Sequence, residues 1–205
     1  MREGRAKILA RRTLLQTRFW KIVEEDVVFR GKRFSYTFRL QERIVHVVAV
    51  TRGGGIVLER QYRHPVRRQM LELPAGYVNA GETPLAAARR ELLEETGYAA
   101  PRWTELGSWH PSAGSSNTKV FMFLATGARR VRGTAREPFE FIRVFVRPLG
   151  EVLRQAGRSR EGSAFFHFGL LLAARHPGIW AASSAVRGGM SGLLKANLKG
   201  GKPCR

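Results

Sequence analysis

The sequence predicts an α/β sandwich, in which helices pack on the faces of a mixed β-sheet. Strand-like runs of β-branched residues, such as IVHVVAV at residues 44–50, precede a run with helical spacing at residues 84–96. Two further helical runs follow the last strand-like run. Because strands and helices succeed one another along one chain of 205 residues, we expect layers built around a substantial core.

The first part of the chain is predicted to be mostly strand. Residues 13–40 alternate weakly between apolar and polar side chains around the turn-like RGK, which predicts an antiparallel hairpin. Residues 44–50 and 56–63 flank the glycine-rich TRGGG and predict a strand and a returning strand. The run QMLELPAG, residues 69–76, predicts a short strand that is stopped by its proline and final glycine.

The first helix carries end signals on both sides. Thr83 is suited to cap its N-terminus, Pro84 to occupy its first turn, and Gly97 to follow its last turn. One face is predicted to pack on the sheet, and it is formed by Leu85, Ala88, Leu92 and Thr96. The later elements are predicted as strands at 102–110, 119–127 and 139–149 and helices at 150–158 and 163–176.

Composition bounds the class of protein. The 36 basic and 16 acidic residues give a net charge of +20, a field that attracts phosphate groups of nucleotides or nucleic acids. An arginine-rich solvated surface explains the same charge equally well. No apolar run approaches the roughly 20 residues that span a bilayer, so we expect no membrane association. The single cysteine, Cys204, cannot form an internal disulfide, which fits a cytoplasmic location.

Three segments are predicted along the chain. Residues 1–42 form an N-terminal β segment, residues 43–180 the main α/β domain, and residues 181–205 a basic, glycine-rich tail. The tail is poor in large apolar side chains, so we expect it to extend loosely from the domain.

Three glutamates are concentrated near the end of the first helix. Glu91, Glu94 and Glu95 fall within an arc of about 100° on one helical face. Like charges at this spacing repel, and the C-terminal end of a helix disfavours anions. Local rules broken twice at one place indicate a functional site. Carboxylates grouped on one face are the oxygen ligands that Mg²⁺ and Mn²⁺ prefer, and a bound cation would remove the repulsion.

The spacing of these residues resembles the Nudix box. Gly76 is followed after five residues by Glu82 and after seven more by RELLEETGY, residues 90–98, which fills every specified position of the 23-residue pattern. The resemblance implies a Nudix-type α/β/α sandwich with a mixed sheet and a small N-terminal β hairpin. It also implies that Glu82 and Arg90 form a structural pair between loop and helix.

The same resemblance implies a metal-dependent enzyme. In the family, the glutamates matching Glu91, Glu94 and Glu95 bind divalent cations and take part in catalysis. The backbone carbonyl matching Ala75 often joins them. The expected cofactor is Mg²⁺, with Mn²⁺ as the alternative; the residues do not fix the number of ions.

Residues flanking the box are similar to the ADP-ribose pyrophosphatase group and its nucleotide-sugar relatives. LERQYRHPV and LELPAG carry this similarity, and Arg63 matches an arginine that those enzymes direct at substrate. A guanidinium fork suits a diphosphate, whereas the alternative for Arg63 is an ordinary surface residue. Tyr62 is a candidate for stacking on a base, or for packing on neighbouring side chains. The implied reaction converts ADP-ribose or a related nucleoside diphosphate sugar into a nucleoside monophosphate and a sugar phosphate.

Two departures from the group limit the transfer of roles. The group's Ser-Pro-Gly loop is replaced by HPSAGSSNT, in which Asn117 stands where a carboxylate is often found. Glu140 fits a further metal-associated glutamate. The expected position of the general base holds Pro138, so either its neighbour Glu137 or a glutamate of the box would serve.

Other substrates and roles remain open at this stage. GDP-mannose, a nucleoside triphosphate or capped RNA are alternatives within the family, and a non-catalytic nucleotide- or RNA-binding domain is an alternative outside enzymes. A pure binder would have no need of all three metal glutamates, which argues against the non-catalytic alternative. RNA is a possible partner but not the favoured one. The group resemblance further implies a homodimer that uses residues 13–40.

Overall fold

The computed structural model describes residues 4–18, 20–134, 141–156, 161–177 and 179. The chain divides into two compact units, the first formed by residues 1–44 with 108–120 and the second by residues 45–107 with 121–205. The predicted basic tail lies outside the described residues. Within the described ranges, no helix is long and apolar enough to cross a membrane.

The first unit contains a three-stranded antiparallel sheet in the order β1–β2–β3. Its strands are β1 (Lys7–Gln16), β2 (Lys21–Phe29) and β3 (Lys32–Leu40). Strands β2 and β3 form the predicted hairpin, and its turn residues Arg30 and Gly31 have φ angles of 51° and 75°, as a tight primed turn requires. Strand β1 was not predicted, because all ten of its residues are exposed and no buried face imposes an alternating pattern.

Residues 108–120 join the first unit at the end of β3. The Arg39 amide donates to the carbonyl of Ser115 at 2.9 Å. The Asn117 side-chain oxygen accepts a hydrogen bond from the Gln41 amide at 2.8 Å. Asn117, which stands where the related enzymes often have a carboxylate, therefore ties this loop to the sheet.

The second unit is built around an eight-stranded mixed sheet with the central order β11–β5–β4–β10–β8. Strand β6 pairs with β5, β7 with β4, and β9 with β10. The two-residue β8 was not predicted, and the single strand predicted at residues 69–76 is divided; the other elements of this unit overlap the predicted runs. The strands are β4 (Ile44–Thr51), β5 (Gly55–Arg63), β6 (Arg68–Glu72), β7 (Ala75–Tyr77), β8 (Tyr98–Ala99), β9 (Arg102–Trp109), β10 (Val120–Arg130) and β11 (Ile142–Pro148), and the helices are α1 (Pro84–Thr96), α2 (Leu149–Ala156) and α3 (Ala164–Arg175).

Alternation along β4 places helices on both faces of the sheet. Val45 and Val47 belong to the buried cluster that includes Ala88 and Leu92 of α1. Val48 points to the opposite face, where it lies against Gly169 of α3. The second unit is therefore a helix–sheet–helix sandwich, as predicted.

The predicted strand at residues 69–76 is two strands. Pro74 has no amide hydrogen and interrupts the ladder, while its carbonyl accepts a hydrogen bond from Val47 at 2.9 Å. Strand β6 consequently pairs with β5, and the chain changes partner so that β7 pairs with β4. Gly76 lies inside β7 instead of ending a strand, so that part of the prediction was wrong.

The ends of α1 follow the predicted signals. The Thr83 hydroxyl accepts a hydrogen bond from the Ala86 amide at 3.2 Å. Gly97 has a φ of 75° and donates its amide hydrogen to the Leu93 carbonyl at 3.0 Å. A side chain at Gly97 would place its Cβ 2.3 Å from the Arg132 carbonyl oxygen, so both conformation and space require glycine.

On the α3 face, His46 of β4 is a partly buried titratable group. Its ring stacks on Phe165 with 4.4 Å between centroids. Its buried Nδ1 atom has no hydrogen-bond partner in the described part of the chain. Burial, with a smaller contribution from the positive charge of Arg63, lowers the pKa of His46 from 6.5 to about 4.

We expect His46 to make the fold sensitive to mild acid. The unfolded chain takes up a proton on this imidazole near pH 6.5, whereas the folded chain does so only near pH 4. Stability is therefore retained above pH 6.5 and falls between pH 6.5 and 4, by on the order of 2–3 kcal/mol. Urea unfolding at several pH values measures this slope, which His46→Gln should reduce.

The exposed His64 provides the matched control. His64→Gln should leave the dependence of stability on pH unchanged. An equal reduction of the slope in both variants would show that the effect does not come from burial of His46.

Candidate active site

Arg90 binds the glutamates of the box together. Its Nη1 donates to Glu91 at 2.8 Å and to Glu94 at 3.1 Å. Its Nε and Nη2 donate to the two oxygens of Glu82, each at 3.1 Å, and Nη2 also donates to the Tyr77 carbonyl at 2.8 Å. All five donors of the guanidinium are thereby used. The expected Glu82–Arg90 pair is present, and hydrogen bonds from Arg90 hold the pKa of Glu82 below its usual value.

Glu95 is the most deeply buried of the three clustered glutamates. Its side chain lies on α1, the residue is only 6% exposed, and its carboxylate accepts a hydrogen bond from the Ala75 amide at 2.9 Å. This bond fastens the acidic face of α1 to the start of β7. The Ala75 backbone, which the family resemblance singles out, therefore lies directly beside a predicted metal ligand.

Gly76 leaves the space in which the Glu91 carboxylate lies. A Cβ atom added at Gly76 would come within 2.0 Å of Glu91 Oε1. Its φ is outside the left-handed region, so space and not backbone conformation requires glycine here. The first glycine of the box thus has a structural reason in this chain: a carboxylate of α1 fills the position of its missing side chain.

Gly76→Ala should therefore separate activity from stability. The alanine must push the Glu91 carboxylate out of its position. We therefore expect kcat of the metal-dependent hydrolysis to fall about 10- to 100-fold. The backbone tolerates alanine, so the melting temperature should change by only a few degrees. Gly114→Ala is the control, because its added Cβ meets no atom within 4 Å. Full activity in Gly76→Ala would contradict this reason for the glycine.

Arg63 lies at the end of β5, on the face of the sheet against which α1 packs. It follows Val57 of the α1-facing core by six residues, so both side chains point to one side of the strand. Its guanidinium forks onto Glu72 of β6, with contacts of 3.0 Å from Nε and 2.6 Å from Nη2 to the same oxygen. It also interacts electrostatically with Glu95 and Glu59.

Tyr62 points away from this face. Adjacent residues of a strand alternate, so its ring lies on the side of β5 opposite to Arg63. The tyrosine is 46% exposed, and its ring centroid is 6.2 Å from that of His64. Its assignment to base stacking stays a prediction. Glu137 and Glu140 lie outside the described residues.

The acidic residues of α1 offer the type of donor atom, oxygen, that a hard divalent cation prefers. Glu91, Glu94 and Glu95 supply carboxylates, and the neighbouring Ala75 supplies a backbone carbonyl. In the described ranges, however, no three His, Cys, Asp or Glu side chains converge as a ligand group. The reason is local, because Arg90 holds Glu91 and Glu94 while the Ala75 amide holds Glu95. The donor set therefore fits a metal, with Arg90 as the cation that neutralises two of its members.

Sequence reasoning missed Glu59 and Glu72. The β5–β6 register places these two carboxylates opposite each other, and Glu59 is only 3% exposed. The sequence contains one indication of Glu59: it precedes Arg63 by four positions, and alternate residues of a strand share a face. Recognising it required the partner strand and its register, which residues 69–76 alone did not reveal.

A carboxylate-bearing helix held against a glycine-containing strand, with an arginine beside it, is the arrangement that the spacing of the box predicts. The NUDIX domain model matches residues 40–168, and the chain belongs to the NUDIX family. It is 34% identical over 126 residues to the ADP-ribose pyrophosphatase of Bacillus subtilis, which covers 61% of this chain and 68% of that protein. It is 43% identical over 88 residues to the ADP-ribose pyrophosphatase of Mycobacterium tuberculosis, covering 42% of each chain.

A solved structure shares the fold. The crystal structure of an ADP compounds hydrolase superposes with a TM-score of 0.72 over 82% of this chain and 92% of that one, at 22% identity. The predicted Nudix-type fold is therefore confirmed.

Proposed function

We propose that this protein is a metal-dependent Nudix pyrophosphohydrolase that cleaves the diphosphate of ADP-ribose or a related nucleoside diphosphate sugar. The products are a nucleoside monophosphate and a sugar phosphate. The observation that carries the proposal is the seating of the acidic α1 face on Ala75 and Gly76, with the Arg63 charge beside Glu95. The similarity to two enzymes named ADP-ribose pyrophosphatase supports the choice of substrate.

The divalent cation would be held by oxygen ligands of α1 and β7. The proposed ligands are the carboxylates of Glu91, Glu94 and Glu95 and the carbonyl of Ala75, and the family pattern adds Glu140. When bound, Mg²⁺ or Mn²⁺ would polarise the phosphate oxygens and neutralise charge that develops during cleavage. Binding there requires Arg90 Nη1 to release Glu91 and Glu94, while its bonds to Glu82 and Tyr77 can remain.

The chain's own residues bind the substrate and manage the proton. Arg63 donates to the diphosphate, and Tyr62 is proposed to stack on the base. A water attacks phosphorus, a new P–O bond forms, and the anhydride P–O bond breaks. The water's proton passes to a carboxylate, for which Glu137 and a glutamate of the box are the two candidates. The charge of +20 attracts the anionic substrate.

A substrate panel with and without Mg²⁺ tests this function. ADP-ribose, GDP-mannose, a nucleoside triphosphate and capped RNA are incubated with the protein, and products are separated by chromatography. The proposal expects AMP and ribose 5-phosphate from ADP-ribose only when metal is present. Preference for one of the other three substrates would replace the substrate assignment. Absence of any metal-dependent product would favour a nucleotide-binding domain without catalysis.

We further propose a homodimer formed through the N-terminal segment. Every residue of strand β1 is exposed, and the strand carries four large apolar residues that are 43–53% exposed, namely Ile8, Leu9, Leu14 and Leu15. An exposed strand with apolar side chains is suited to a partner surface. Light scattering at micromolar concentration should give the mass of two chains, and a monomer would remove the proposal.

The compartment and the tail complete the proposal. We place the protein in the cytoplasm, because its single cysteine forms no internal disulfide. RNA is not a favoured partner. Deleting residues 181–205 should leave nucleotide-sugar hydrolysis and any RNA affinity unchanged; a weaker and less salt-dependent RNA affinity would assign the tail to RNA.

A further inference from the structure

Arg63 is bound by one edge of its guanidinium. Nε donates to the two oxygens of Glu72 at 3.2 and 3.0 Å, and Nη2 donates to one of them at 2.6 Å. These three contacts use Nε and Nη2 and leave the Nη1 edge outside the pair. The Glu72 side chain is 14% exposed and that of Arg63 is 49% exposed, so a largely covered anion holds one edge of a half-exposed cation.

The β5–β6 register places a second carboxylate and a second arginine next to this pair. Glu72 pairs with Glu59 across the two strands, and Arg63 pairs with Arg68 nearer the hairpin end. Two carboxylates directly opposite each other repel, and Arg63 supplies the compensating charge. The same guanidinium also interacts electrostatically with Glu95 of α1.

A second pair on the same strand shows what an ordinary surface contact looks like. Arg60 donates to Glu161 at 2.8 Å through a single contact, and the two side chains are 39% and 56% exposed. Arg60 is on the other face of β5, because it lies an odd number of positions, three, before Arg63. Exposed single contacts of this kind contribute little to stability and order side chains weakly.

We propose that Glu72 is a positioning residue, which fixes the Nε–Nη2 edge of Arg63 so that its Nη1 edge is presented to the diphosphate of the substrate. This inference rests on the proposed function, in which Arg63 binds that diphosphate. An arginine ordered before binding loses less side-chain entropy when the substrate arrives. A planar fork can serve two anions on two edges, which the point charge of a lysine cannot.

The sign of the effect of Glu72→Ala separates positioning from simple charge. A carboxylate that acted only through its charge would repel the diphosphate, so removing it would lower KM. Positioning predicts the opposite, a rise in KM of about three- to tenfold with little change in kcat. Glu72→Gln keeps the volume and one acceptor and should give a smaller rise. It also serves as the test variant if the alanine variant is unstable.

A double-mutant cycle tests whether Glu72 acts through Arg63. If it does, Glu72→Ala should add less than about twofold to the KM of Arg63→Ala. Glu161→Ala is the matched control and should leave KM unchanged. NMR of arginine Nε–H groups should show that the Arg63 signal is rigid in the unmodified protein and mobile in Glu72→Ala.

Failure of the inference can be distinguished from failure of the proposed function. If ADP-ribose is hydrolysed but Glu72→Ala leaves or lowers KM, or if the effects of the two substitutions multiply, Glu72 does not position Arg63. If no substrate is hydrolysed, calorimetric binding of inorganic pyrophosphate with Mg²⁺ replaces KM. Weaker pyrophosphate binding and a mobile Arg63 signal in Glu72→Ala then uphold the inference, and unchanged values overturn it.

Discussion

Glu95→Gln is expected to lower kcat by about 100-fold or more while leaving the metal-free protein as stable as before. The proposed metal site would lose one negative charge whose main effect is in the transition state, so kcat should fall more than KM rises. Glutamine keeps an acceptor for the Ala75 amide, which Glu95 now binds at 2.9 Å. Like-charge repulsion with Glu91 is also relieved. Steady-state kinetics and metal-free thermal melting measure the two parts.

Glu82→Gln is the matched control for Glu95→Gln. Glu82 accepts two hydrogen bonds from Arg90 and one from the Asn79 amide, so its replacement should cost stability and reduce the rate less. A steep fall in the melting temperature of Glu95→Gln, with activity retained, would show that the Glu95 carboxylate is structural.

Arg90→Met should cause the largest loss of stability among the substitutions considered. Methionine keeps most of the aliphatic stem but removes all five donors, which leaves Glu82, Glu91 and Glu94 without their shared cation. We expect a loss of about 2 kcal/mol, moderated by the partial exposure of the guanidinium, and a fall of about 4–8 °C in melting temperature. Saturating Mg²⁺ should restore part of it, because the proposed metal neutralises Glu91 and Glu94.

Arg147→Met provides the comparison for a surface pair. Arg147 of β11 binds Glu151 in the first turn of α2, and its removal should change stability by less than about 0.5 kcal/mol. Equal losses in the two variants would mean that the network around Arg90 is worth no more than one exposed ion pair. Equal melting of Arg90→Met with and without Mg²⁺ would contradict the neutralisation of Glu91 and Glu94 by metal.

Local signals predicted the elements that depend on neighbouring residues. Thr83 and Gly97 delimit α1, because capping and a left-handed turn involve atoms only a few residues apart. The β2–β3 hairpin was predicted for the same reason. Strand β1 escaped prediction because its pairing with β2 gives it no buried face. The division at Pro74 depended on which strand each half would pair with, and no local pattern carries that information.

The sequence alone determined which residues the acidic helix contains and how they are arranged around it. The period of a helix is known, so the spacing of residues along the chain shows which side chains lie on the same face. The tertiary structure decided what that face meets. The closeness of Glu91 to Gly76 and of Glu95 to Ala75 depends on how α1 packs against β7, and the grip of Glu72 on Arg63 depends on the β5–β6 register. These contacts join residues 9 to 20 positions apart. Strand pairing and packing of the whole sheet set such contacts, so they could not be derived from any single segment of the chain.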